Sequence, residues 1–216
     1  MHFMAIEVAA QRYLFSPKPK RIHGPTGFKN AFSAKLQKEK AKAPFSHNHL
    51  HDLESLWWVT AWVVLYHSFS KGTTPRDCPT LQDADDQLFL AEKLFPPVVD
   101  PTRQNNFQND ESFLEIGEKI PKNKQDAHIC LDLLREELIS HYEDVEAEYP
   151  LINPNASKDE IYDTFTESFT TLKSNYHGVT LKSIQDIRAE LSKPENKRPR
   201  SESTNDSGAA QKNPRK

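Results

Sequence analysis

The sequence predicts a mainly α-helical domain built around one buried hydrophobic helix, with a long basic loop and a disordered basic tail. Three observations predict it. Leu53–Phe69 is apolar on all sides, through Leu56, Trp57, Trp58, Val59, Ala61, Trp62, Val63, Val64 and Leu65, and a helix with no polar face must be enclosed by others. Later segments repeat apolar residues every three or four positions, and no alternating pattern of strand length competes with them. Lys193–Lys216 holds no large apolar residue, so burial cannot offset the entropy of ordering it.

The length of 216 residues and the lean 36% apolar content suit one domain, residues 1–191, followed by the tail, 192–216. Cys78 and Cys130 form no CxxC pair and follow no signal-like start, which argues against a disulfide framework and against a cysteine-based zinc site. The expected compartment is intracellular and reducing, nucleus or cytoplasm. Leu56–Phe69 spans 14 residues and includes Thr60, Tyr66, His67 and Ser68. Crossing hydrocarbon takes about 20 apolar residues, so this is a core helix and no membrane association is expected. The net charge of −3 hides a strong segregation: +8 over Gln11–Pro44, −11 over Leu81–Pro150 and +4 after Leu191.

Residues 11–50, rich in Lys, Pro and Ser, read as a basic surface loop with one short helix near 30–42. In Gln82–Phe95, Leu88, Ala91, Leu94 and Phe95 keep helical spacing until Pro96-Pro97 stops them. Asp126–Glu148 is a longer helix, with Cys130, Leu134, Leu138 and Tyr142 recurring every four residues beside Ile129, Leu133 and Val145. Ser157-Lys158-Asp159-Glu160 fits a capping box, opening a helix that carries Ile161, Phe165, Phe169 and Leu172. A last short helix, Leu181–Leu191, places Ile184, Ile187 and Leu191 on one side.

Two stretches carry a resemblance. Phe3-Met4-Ala5-Ile6-Glu7-Val8 and His51-Asp52-Leu53-Glu54-Ser55-Leu56-Trp57-Trp58-Val59 together resemble the fungal-type protein kinase domain family, in which a Phe-Met-(Ala/Ser)-x-Glu segment precedes a His-Asp-Leu-Glu-Ser opening of an aromatic-rich helix. The resemblance implies the larger, helical lobe of a kinase, with the helices after Phe69 as its later helices. Ala5-Ile6-Glu7 then stands at the Ala-Pro-Glu end of an activation segment, Ile6 replacing Pro, and Glu7 is the carboxylate that pairs with a later Arg. Arg135 and Arg188 are the candidates. Asp52 is the acid at the start of the central helix, a structural support that accepts backbone N–H groups, with Ser55 as a nearby polar partner.

Phosphoryl transfer by a kinase needs a Gly-rich loop, a strand Lys, a catalytic-loop Asp and Asn, and the Asp of Asp-Phe-Gly. None of these motifs occurs in the sequence. Met1 stands six residues before Glu7, so the resemblance implies a lobe fragment, by truncation, gene split or incomplete gene model. It is expected to lack phosphotransferase activity alone, without catalytic residues or cofactor, ATP and magnesium belonging only to a complete family member. Two alternatives stand beside it. One is the C-terminal part of an active Ser/Thr kinase whose ATP-binding half is supplied elsewhere. The other is a helical interaction module, since a half-domain leaves apolar surface that needs a protein partner.

Three further features are weighed against plainer readings. His47, His49 and His51 alternate before Asp52, yet no Cys or fourth ligand lies near, and the plain reading is a solvated loop entering a helix. Lys197-Arg198-Pro199-Arg200 fits a nuclear localisation signal. Direct nucleic-acid binding is not expected, because no stacking platform or groove-reading motif accompanies the basic charges. Trp57, Trp58 and Trp62 read as core packing rather than a ligand cage, because they share one apolar helix.

Overall fold

A computed structural model describes residues 3–17, 44–70, 79–96, 101–149, 151–153 and 158–193. In chain order its elements are α1 (Ile6–Ala10), α2 (His49–Tyr66), β1 (His67–Ser70), α3 (Leu81–Leu94), α4 (Pro101–Gln108), α5 (Asp110–Lys119), a 3-10 turn (Lys122–Lys124), α6 (Gln125–Glu146), α7 (Lys158–Asn175), β2 (Thr180–Ser183) and α8 (Ile184–Leu191). The described residues are mainly helical, and none of their helices is long and apolar enough to cross a membrane.

α2 is the axis of the fold, and both of its ends are tied. Asn48 accepts the Leu50 N–H at 2.9 Å, while the Asn48 N–H donates to His51 Nδ1 at 2.9 Å, a reciprocal cap with histidine in the place usually held by Glu or Gln. At the other end the Lys124 ammonium donates to the carbonyls of Val64, at 3.0 Å, and His67, and the Gln87 amide donates to those of Leu65 and His67. Carbonyls left over at a helix C-terminus need such donors, and a cation there also meets the negative end of the dipole.

α6 and α3 cover α2, burying Leu50, Leu53, Trp57, Trp58, Ala61, Val64 and Leu65. The Trp57 N–H donates to the Leu131 carbonyl of α6 at 2.7 Å, and its ring meets Trp58 edge-on at 4.7 Å. The expectation of an apolar helix enclosed all round needs correction. Leu56 is 43% exposed, Val59 is exposed as well, and Trp62 is only partly buried, at the rim against Phe3. The elements packed on α2 cover part of its circumference and leave this stripe outside.

Other differences follow from register. α6 buries Leu131, Leu134, Leu138, Tyr142 and Val145, whereas Ile129 and Leu133 are 54% and 60% exposed and Cys130 is half-buried. β1 pairs antiparallel with β2, His67 opposite Ser183, so Leu181 lies in a strand and α8 begins only at Ile184. Four residues a side are too few to show an alternating pattern. Ile184 and Ile187 pack on Ala84 and Leu88 of α3, while Leu191 stays exposed. α4 and α5, which the sequence did not announce, supply Phe107, Phe113 and Ile116 to the core.

α3 stops at Leu94 before Pro96, as the spacing predicts, with a Thr80–Asp83 capping box at its start. α7 buries Ile161 and Phe165, with Phe169 and Leu172 packed beside them; Ser157 of its expected capping box lies outside the described residues. So do the short helix near 30–42, the tail after Lys193 and Lys197–Arg200. Near both ends the basic loop enters the core rather than staying on the surface: Phe15 packs face to face on Tyr142 at 4.6 Å, and Leu50 is fully buried.

Candidate functional site

The two stretches that carry the family resemblance meet at a buried polar junction between α1, α2 and α6. Glu54 lies at its centre, fully buried, in the helical register that also places Trp57, Trp58 and Ala61 inside. Three donors reach it at 2.8 Å each: the Ile6 N–H and the Trp58 indole N–H on Oε1, and the Tyr142 hydroxyl on Oε2. Burial raises its pKa above the ordinary carboxylate range, while those donors and the charge of Arg103 oppose the rise. Arg103 of α4 lies 4.0 Å from the Trp58 ring centroid, and its Nη2–H donates to the Met4 carbonyl at 2.7 Å.

Glu7, also fully buried, accepts the Leu14 N–H on Oε1 and faces His51 Nε2 at 3.1 Å through Oε2. The Asn48 N–H occupies His51 Nδ1, so the neutral ring carries its proton on Nε2 and donates it to Glu7. Burial pushes His51 down to about 4. Glu146 of α6 accepts the Phe15 N–H at 3.0 Å and hydrogen-bonds side chain to side chain with Glu7. Burial raises both carboxyls, and their mutual contact raises Glu146 further.

The sequence expectations meet this junction unevenly. Glu7 is a buried anchor, but its partners are His51 and Glu146 and neither candidate Arg. Arg135 is committed to Asp110, Asp132 and the Phe107 carbonyl, holding α6 to α4 and α5, and Arg188 pairs with Asp85 on the surface. Asp52 is exposed and faces His47 at 3.6 Å. The helix starts at His49, and its cap is complete before the chain reaches Asp52: the Asn48 side chain accepts the Leu50 N–H and the His51 ring accepts the Asn48 N–H. Ser55 donates to the His51 carbonyl one turn back, at 2.8 Å, a bond within its own helix. The three histidines do not converge on one point: the exposed His47 ring lies 4.9 Å from that of the buried His51, while His49 turns to the Tyr162 ring at 5.9 Å. Among the described residues no group of His, Cys, Asp and Glu is arranged to hold a metal.

Glu54 is the residue that sequence reading passed over, and the signal was present. An acid on the buried face of an apolar helix must find several donors or stay neutral. A second feature lies on the other side of α2: an open apolar groove of about 460 Å³, lined by Leu53 and Leu56 with Tyr162, Phe165, Phe169 and Lys173 of α7.

No family model matches the sequence, and no curated protein or solved structure is found similar to it. The chemistry of the junction therefore rests on its own geometry. It has buried carboxyls, a neutral histidine and no opening to solvent at Glu7, Glu54 or His51. Such an arrangement holds backbone in place and stores protons.

Proposed function

We propose that the chain is the helical larger lobe of a fungal-type protein kinase-like domain, acting without phosphotransfer of its own as a unit that engages a protein partner. One observation carries the reading. The two motif stretches, 44 residues apart at Glu7 and His51, are bonded to each other, Ile6 to Glu54 and Glu7 to His51. Segments that belong to one functional unit are expected to meet in this way, with the activation-segment end anchored on the start of the central helix. The anchor departs from the family pattern in using histidine and a second carboxyl in place of Arg.

The sequence supplies none of the groups that hold ATP or magnesium. Calorimetric titration of the purified chain with Mg·ATP is expected to show no saturable binding below millimolar concentration; a micromolar Kd overturns the reading. The genomic sequence before the Met1 codon separates the non-catalytic lobe from the C-terminal part of an active kinase. An in-frame His-Arg-Asp-like and Asp-Phe-Gly-like stretch there favours the latter. The exposed Leu56 and the apolar groove beside it favour a partner protein over a small ligand.

A further inference from the structure

Glu7 and Glu146 bring two carboxyl groups together where water does not reach, both side chains being fully buried. Three of their four oxygens meet donors: the Leu14 N–H and His51 on Glu7, and the Phe15 N–H on Glu146. The fourth, Glu146 Oε1, is buried and accepts from no donor. His51 is neutral, its Nδ1 already accepting from Asn48. Among the described residues no Lys or Arg pairs with either carboxyl; the charge of Arg103 acts on Glu54. Two adjacent carboxylates without a counter-ion repel strongly in a low-dielectric interior. One of them therefore holds a proton, shared across the hydrogen bond between the two side chains.

We propose that this shared proton is the catch of a latch: while it is present Gln11–Pro17 is docked on α6, and its loss undocks that segment. The docking bonds converge on the pair, since Leu14 is held by Glu7 and Phe15 by Glu146, with the Ser16 N–H also directed at Glu146. Of the other titratable groups facing the pair, Glu54 of α2 makes ionisation of Glu7 harder, while Tyr13 and Tyr142 of α6 keep their hydroxyl protons, raised by burial and by the carboxyls themselves, and bring no positive charge. His51, with His47 behind it, does not take up charge until pH falls well below neutrality. Both carboxyls are raised above the usual Glu range, so the proton leaves as pH climbs through neutral to alkaline values. The latch is independent of the kinase-like reading, because it needs only the carboxyl pair and the two amides.

Hydrogen exchange of the Leu14 and Phe15 amides in the full chain tests it, read from about pH 6 to about pH 9 with intrinsic rates divided out and the Trp57 and Trp58 amides as reference. Protection of Leu14 and Phe15 is expected to fall about tenfold or more relative to the reference. In Glu146→Gln the side-chain amide donates to Glu7 without ionising, and the profile is expected to be flat. Should that variant fail to fold, Glu7→Gln removes the same repulsion from the other side and is expected to flatten the profile equally. A wild-type profile as flat as the reference, or a variant as steep as wild type, overturns the proposal.

Discussion

Trp58 combines three contacts that no surface tryptophan makes: a fully buried ring, an indole N–H on Glu54 at 2.8 Å and the Arg103 guanidinium 4.0 Å from its ring centroid. Trp62, four residues on, has the same side chain at the rim of the core, edge-on to Phe3 and His67. Truncating a buried aromatic costs about 3–5 kcal/mol, a large share of the ~5–15 kcal/mol that holds a typical domain together. Trp58→Ala is expected to fall in that range, and it also leaves Glu54 short of a donor. Trp62→Ala should cost clearly less, and Leu56→Ala should stay within about 0.5 kcal/mol. Urea unfolding followed by far-UV circular dichroism ranks the three. A Trp62 loss equal to that of Trp58 would mean that the buried face of α2 is drawn wrongly. The residue patterns in the sequence identified Trp57 and Trp58 correctly as core. They could not separate them from Leu56 and Trp62, because an all-apolar helix carries no mark of which side its neighbours occupy.

Two elements approach closely at Gly117 on α5. A Cβ placed there would lie 2.3 Å from Cε1 of His128 on α6, and that ring is itself stacked on Phe113 at 4.7 Å. Replacing Gly by Ala in an exposed helix stabilises by about 1 kcal/mol. Here the sign is expected to reverse, because neither the buried His128 ring nor Phe113 has room to yield. Gly117→Ala should lower the melting temperature, and adding His128→Ala should recover part of that loss; stabilisation by the single variant would show that α5 and α6 are not packed so closely. Element legibility followed the same logic of packing. α3, α6 and α7 were readable from their period, whereas α4, with Phe107 as its only large apolar residue, carries too little pattern to be seen. The β1–β2 pair is decided by a contact between residues more than a hundred positions apart.

Across the whole molecule the buried ionisable groups pull stability in opposite directions. His51 is lowered in the fold, so the unfolded chain binds its proton first, and its contribution is lost as pH falls from about 6.5 towards about 4. Glu7 and Glu146 are raised, so the folded state binds the extra protons. Their contribution is complete below about 4.5 and is lost as pH rises. Lys124, lowered to about 7 by burial, acts in the same direction as His51 but higher, losing its contribution as pH falls from about 10.5 towards 7. Glu146→Gln deletes the Glu146 share of the carboxyl component while leaving Glu7, His51 and Lys124 in place. The urea midpoint of the variant minus that of wild type is therefore expected to increase steadily from about pH 5 to about pH 8. A constant difference would mean that both carboxylates are already ionised in the fold.

The amino-acid sequence alone determined that the chain is mainly helical and that its axis runs through Leu53–Tyr66. Local period and residue type are enough for those, because hydrophobic spacing acts before the chain closes on itself; that Phe3–Val8 and His51–Val59 belong together, with Glu7 as an anchor, came only as what the motif resemblance implied. Tertiary structure decided the rest: that Glu7 pairs with a neutral histidine and a second carboxyl, that Glu54 is the buried hub, and that Leu56 faces outward. Partners drawn from α1, α2 and α6 meet only in three dimensions, and the protonation of each buried group depends on the others it meets there.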